Sequence, residues 1–99
     1  MVINIEKTND AVAIMLTGRL DTTTAPTLEG NINEQLETCS AIVIDMAGLE
    51  YISSAGLRVL LGAQKKVSAQ SGSMKLINVN ETVMDVLEMT GFADILVIE

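Results

Sequence analysis

Two adjacent serines, Ser53 and Ser54, are the residues of this 99-residue chain whose type and placement could carry chemistry. They follow the apolar run Ile42-Val43-Ile44 and a short polar link, and they stand directly before an apolar-periodic segment reaching Val67. Serine at that place can cap the first free N–H groups of a helix. An added phosphate there would meet the positive end of the helix dipole. The chemistry at stake is therefore either a structural cap, worth about 1 kcal/mol, or acceptance of a phosphoryl group. Position 57 is Leu, so Ser54 lacks the reciprocal acid of a capping box. Gly56 is a poor helix former within a first turn, and it makes sense if something must approach the backbone closely there.

Other chemistries fail on residue types. The chain has no His, so neither a Ser–His pair nor a His-ligated metal site can exist. Lys65, Lys66 and Lys75 lie in polar stretches, unlike the desolvated lysine that a Ser–Lys pair needs. No glycine-rich phosphate loop occurs. The expectation is a binding protein, not an enzyme, with no cofactor. A net charge of −7 argues against nucleic acid as partner. The acidity is uneven: residues 1–50 hold eight acids to two bases, residues 51–99 five to four. Arg58, Lys65 and Lys66 all fall on the helix after the serines, which makes it the least acidic surface, either a solvated face or a partner site.

The elements that must position the serines follow from periodicity. Ile3 and Ile5 alternate with polar residues as a first strand, Lys7 to Asp10 form a turn, and Ala11 to Thr17 form a second strand that Gly18 breaks. Asp21-Thr22-Thr23-Thr24 offers caps, Pro26 suits a first turn, and Ala25, Leu28, Ile32 and Leu36 give the first helix despite Gly30. Ala41 to Met46 is a third strand. Leu57, Leu60, Leu61 and Val67 mark the second helix, ended by Ser71-Gly72-Ser73. Met74 to Val79 is a fourth strand. Asn80 caps a third helix with Val83, Val86, Leu87 and Thr90 inward, Gly91 stops it, and Ile95 to Ile98 closes as a last strand. The order β-β-α-β-α-β-α-β predicts one α/β domain over 1–99. Its sheet is mostly parallel with an antiparallel first strand, and the helices lie mainly on one face. Tyr51 and Phe92 are the only large aromatics, so the core must be aliphatic. Cys39 is the single cysteine; it allows no intrachain disulfide and is expected to be small and inert near a helix end. With no secretion signal at Met1 to Lys7 and no apolar run near the roughly 20 residues of a membrane span, a cytoplasmic protein without membrane insertion is expected.

Three segments resemble the STAS domains, and among them the bacterial anti-sigma factor antagonists: L-T-G-R-L-D at Leu16 to Asp21 with Thr24-Ala25 after it, I-D-M-A-G-L-E-Y-I-S-S-A-G-L-R-V-L-L-G at Ile44 to Gly62, and V-M-D-V-L-E-M-T-G-F at Val83 to Phe92. The resemblance implies the same element order and a function in partner switching. In that scheme the unmodified antagonist binds an anti-sigma factor that is a serine kinase, and a sigma factor is released. Phosphorylation of the loop serine reverses this, and a metal-dependent serine phosphatase resets it. Against the family pattern D-S-[ST]-G-L, the family acid corresponds to Ser53, the phosphoacceptor to Ser54, and the following hydroxyl to Ala55. Ser54 is thus the implied acceptor, with Ser53 as second candidate. Asp21 matches a family acid close to that serine, or is simply a cap. The implied partner-binding group is Asp21, Thr24, Ser53, Ser54, Ala55, Gly56, Leu57 and Arg58. The changes at Ser53 and Ala55 keep open an alternative, a non-switching STAS subunit that docks on a transporter ATPase or a sensory assembly. A small-ligand or nucleotide binder is a third possibility, though no phosphate loop or aromatic platform is visible.

Overall fold

Every second residue of the inner strands is buried, and that period sets the architecture of the computed structural model, which describes residues 1–9 and 11–99. Val12, Ile14 and Leu16, then Ile42, Ile44 and Met46, then Met74 and Leu76 all point into one core. The residues alternating with them are only half-buried on the opposite face, and several of them, Ala11, Ala13, Ala41 and Val43, are small. A parallel sheet covered on both faces needs continuous large apolar runs. This one has a large face and a small face, and it is covered mainly on the large one.

The elements are β1 (Val2–Thr8), β2 (Ala11–Leu20), α1 (Ala25–Leu36), β3 (Ala41–Ile52), α2 (Ser54–Ala69), β4 (Ser73–Ile77), α3 (Glu81–Met89) and a short 3₁₀ turn, Phe92–Asp94. The sheet order is β1-β2-β3-β4, with β1 antiparallel to β2 and the other pairs parallel. Each crossover steps the same way across the sheet, and right-handed crossovers then place their helices on a common face. Leu28 and Ile32 of α1, Leu57, Leu60 and Val67 of α2, and Val83 and Leu87 of α3 complete the core. Lys66 of α2 also donates to Asn33 of α1. Cys39 is buried just beyond α1, its N–H donating to the Gln35 carbonyl.

Several expectations are corrected. The last strand, expected over Ile95 to Ile98, is only a bridge between Ile98 and Leu76, held by Leu76 N–H to Val97 O and Glu99 N–H to Leu76 O, both 2.9 Å. Gly91 (φ 80°) and the 3₁₀ turn use up the chain that a full strand would require. Gly18 does not end β2. At φ 106° it absorbs an irregularity in the ladder, and pairing resumes at Arg19–Tyr51 and Leu20–Ile52. The polar link after Met46 is likewise strand, because its partners Thr17 to Leu20 are strand. Lys7 and Thr8 belong to β1, which narrows the expected turn, and Asp10 lies outside the described residues. Val86 is half-buried, and Thr90 is exposed as the α3 C-cap, its hydroxyl donating to Val86 O at 2.8 Å. Leu61 is half-buried too.

Two glycines test this packing from opposite sides. A Cβ on Gly72 would collide with the Ser40 carbonyl oxygen, which is backbone and cannot swing away, whereas a Cβ on Gly30 meets nothing within 4 Å. Gly72→Ala is expected to cost about 1–3 kcal/mol. Gly30→Ala, on the exposed side of α1, should add about 0.5–1 kcal/mol through helix propensity. Thermal melts of both variants check the pair; a Gly72→Ala protein as stable as the parent would contradict this packing.

Candidate functional site

Strands β2 and β3 run parallel and end together, so the segments leaving their C-terminal ends meet at one rim of the sheet. Leu20–Ile52 is the last residue pair of their ladder, and Ser53 N–H adds one further bond to Leu20 O at 2.9 Å. The chain then turns into α2. Ser53 is extended (φ −98°, ψ 174°), its carbonyl takes the first helical bond from Leu57 N–H at 3.0 Å, and its hydroxyl accepts from Gly56 N–H at 3.4 Å. Ser53 is therefore the cap. Ser54 is the first helical residue, its side chain is exposed, and its hydroxyl makes no hydrogen bond among the described residues. Of the two roles open to the serine pair, Ser53 takes the structural one and leaves Ser54 free.

Beside it, the β2–α1 loop is wound around Asp21. One carboxylate oxygen accepts from the Thr23 hydroxyl at 2.7 Å, Thr23 N–H at 3.0 Å and Thr24 N–H at 3.2 Å. The Thr23 hydroxyl bond is the main reason the Asp21 pKa lies below its ordinary value; desolvation opposes it, and the backbone bonds and the Thr24 hydroxyl add to it. Thr24 turns its own hydroxyl back onto the strand, donating to Arg19 O at 2.9 Å and accepting from Asp21 N–H at 2.8 Å. Thr24 is the N-cap by backbone but makes no side-chain cap bond, so the acid serves that end of α1. Asp21 is thus a loop organiser next to the rim where Ser54 stands.

Gly56 plays a different part from the one expected. A Cβ there would lie 2.7 Å from Leu20 Cγ, 2.9 Å from Leu20 Cδ2 and 3.0 Å from Ile52 Cγ1. The close approach is internal: Gly56 lets α2 sit down on the ends of β2 and β3. Gly56 and Leu57 are both buried, so they support the site from beneath, Ala55 is half-buried, and Arg58 is exposed one turn beyond Ser54. A bulky residue at 56 would disrupt the core instead of reporting on a partner surface.

Two further groups stand at this rim, the Asn80 cap that was expected and a second pair that was not. Asn80 caps α3, accepting from Val83 N–H at 2.9 Å, and its amide donates to Leu49 O at 2.6 Å, which ties a third helix start to the same end of β3. Arg19 and Tyr51 face each other across the last turn of the ladder, the guanidinium carbon 4.2 Å from the ring centroid. The signal for the second pair was available: both residues alternate with the buried Leu20 and Ile52 and so must point to the other face. Among the described residues no His, Cys, Asp and Glu cluster could hold a metal ion, and no helix is long and apolar enough to cross a membrane.

The seat of α2 predicts a coupled response. Gly56→Ala should cost about 1–3 kcal/mol because Leu20 is fully buried and cannot yield freely. In a Leu20→Ala background, the added methyl group should cost less, so the double mutant should be more stable than the two single losses predict. Full additivity in denaturant unfolding would refute the contact. Asp21 predicts a pH dependence. Its folded pKa is depressed, so its contribution is complete above the unfolded value of 3.8 and vanishes as pH falls through the lower folded value. The stability gap between the wild type and Asp21→Asn should therefore be widest near neutrality and close below about pH 4. A gap that stays constant into acid would show that the carboxylate charge is not what organises the loop.

Known proteins share this arrangement. The STAS domain family profile matches residues 2–99. The chain is 28% identical over 94 residues to the anti-sigma-B factor antagonist of Bacillus subtilis, covering 95% of this chain and 86% of that protein. It is 30% identical over 96 residues to the anti-sigma F factor antagonist of Paenibacillus polymyxa, covering 95% and 82%. The fold superimposes on the anti-sigma factor antagonist SpoIIAA in its unphosphorylated form with a TM-score of 0.80 at 22% identity, covering 99% of this chain and 87% of that one. With its profile matched almost from end to end and anti-sigma factor antagonists as its curated relatives, this chain belongs to the STAS domain family.

Proposed function

We propose that this chain is an anti-sigma factor antagonist that works by partner switching, with Ser54 as the residue that is switched. The observation that carries the reading is the division of labour between the serines: Ser53 caps α2, while the Ser54 hydroxyl stands exposed and unbonded at the first helical position. The names of the relatives in Bacillus subtilis and Paenibacillus polymyxa support the class of partner. Unmodified, the rim around Ser54 docks on an anti-sigma factor and frees the sigma factor. That anti-sigma factor is a serine kinase. The Ser54 oxygen attacks the γ-phosphorus of its bound ATP, the bond to the bridging oxygen breaks, ADP leaves, and the hydroxyl proton passes to a base on the kinase. A metal-dependent serine phosphatase restores the hydroxyl by hydrolysis.

The switch is local. Phosphate adds about −1.5 to −2 charges at neutral pH. At the start of α2 it faces backbone N–H groups, a placement worth roughly 0.3–1 kcal/mol at an exposed site. The fold therefore tolerates it. In a docked interface the same group must shed water, which costs several kcal/mol if no cation meets it, and a loss of about 2.7 kcal/mol weakens binding roughly a hundredfold. Ser53→Ala should still take up phosphate from the cognate kinase, with a modest loss of stability from the missing cap, about 1 kcal/mol. Ser54→Ala should take up none, and Ser54→Asp should melt near the wild-type temperature while binding at least tenfold more weakly. Mass spectrometry of the modified site and calorimetric titration check these outcomes. Phosphate on Ser54→Ala would refute the assignment, and a wild type that binds but is never phosphorylated would favour the non-switching subunit.

A further inference from the structure

One residue pair before the strand end that leads into Ser53 and Ser54 lies a cation that the partner-switching reading does not use. Arg19 is exposed, and its guanidinium lies 4.2 Å from the Tyr51 ring. Among the described residues its N–H donors make neither a hydrogen bond nor an ion pair. Three of the six cations are engaged, Lys7 with Thr38, Lys66 with Asn33 and Lys75 with Glu99 at 3.4 Å. Arg58 and Lys65, exposed on α2, are not engaged among the described residues, but neither is stacked on an aromatic ring as Arg19 is. Tyr51, 39% exposed, is one of only two large aromatics.

Position makes the pair more than decoration of a strand end. Arg19 and Tyr51 are directly opposite in the ladder, Leu20 and Ile52 follow, and the next bond is Ser53 N–H to Leu20 O. The Arg19 carbonyl also accepts from the Thr24 hydroxyl, so its backbone is fixed by both the sheet and the Asp21 loop. The guanidinium is thus held on a rigid platform one residue pair from the cap beside Ser54. A planar fork of N–H donors, stacked on one side and unpaired at its edge, is matched by a carboxylate, which can take two parallel bonds. Arginine and tyrosine are also the residue types that dominate binding energy in protein interfaces.

We infer that the Arg19–Tyr51 pair is a docking element for a carboxylate on the anti-sigma factor, extending the interface around Ser54 onto the far face of the sheet and setting partner choice by charge. This rests on the proposed function for the partner's identity, though not on the phosphorylation of Ser54. Asp21 and Glu50 flank the pair in sequence, so a carboxylate is favoured there at the guanidinium alone.

The test is titration calorimetry of the wild type, Arg19→Glu, Arg19→Lys, Tyr51→Leu and Ser54→Asp against the anti-sigma factor kinase from the same genome, loaded with Mg-ADP, at low and high salt. Arg19→Glu is expected to lose at least about tenfold in affinity, Arg19→Lys less, and Tyr51→Leu a part, with the loss shrinking as salt rises. Melting curves of the same proteins separate binding from folding. Arg19→Glu binding like the wild type while Ser54→Asp fails overturns this inference and leaves the switch reading intact. Arg19→Glu failing while Ser54→Asp binds normally supports the docking element and overturns the switch. Affinity loss that tracks lost thermal stability across the variants makes the pair a strand-end clasp and overturns the inference, and a wild type that binds no anti-sigma factor overturns both readings.

Discussion

One contact, the seat of α2 on Leu20, holds the candidate rim together. Gly56 brings the helix backbone against the Leu20 side chain, and Ser53 N–H reaches the Leu20 carbonyl. The same residue is thus gripped by packing and by a hydrogen bond, and it ends the strand whose Val12, Ile14 and Leu16 are buried in the core. Interiors are packed too tightly for such a seat to drift by fractions of an ångström without cost. Ser54, one residue past the cap, inherits that rigidity although its own hydroxyl makes no hydrogen bond among the described residues. An exposed hydroxyl on a fixed base can be reached by an enzyme and still sit in a defined place when a partner docks.

Electrostatics at the rim is arranged by backbone as much as by side chains. Parallel strands deliver α1, α2 and α3 with their N-termini at one edge, where free N–H groups gather partial positive charge. The Asp21 carboxylate answers it at α1, the Ser53 hydroxyl at α2 and the Asn80 amide oxygen at α3. Three different polar groups serve one physical need. At α2 a second hydroxyl, that of Ser54, stands directly beyond the capping one and is not drawn into the cap.

How much of this was legible in the chain depended on whether the signal was periodic or pairwise. The alternation of Val12, Ile14 and Leu16 and the helical spacing of Leu28, Ile32 and Leu36 gave the strands, helices and core directly. The serine pair marked the candidate site, and Asp21 was recognised as a loop or cap residue. What was missed came from partners distant in sequence. The strand status of Gly18 to Leu20 depends on Leu49 to Ile52, and neither segment looks like a strand alone. The reason for Gly56 is Leu20, 36 positions earlier, so the glycine read as an open approach when it was an occupied one. Ile95 to Ile98 has the composition of a strand, yet the turn before it leaves chain for a single bridge only.

The sheet order β1-β2-β3-β4 repeats the order of the chain. No strand has to be threaded between two that are already paired, and each newly formed strand finds its only required neighbour in the one made just before it. Loop closure then never spans more than one crossover, which keeps the entropic cost of every step small. Such a sheet can grow along its edge from the N-terminal hairpin outward, at the pace at which a ribosome releases the chain. The part of the rim that carries Ser54 needs only β3 docked on β2 and α2 closed over Leu20, while β4 and α3 bury the remainder of the core and add the Asn80 end of the rim.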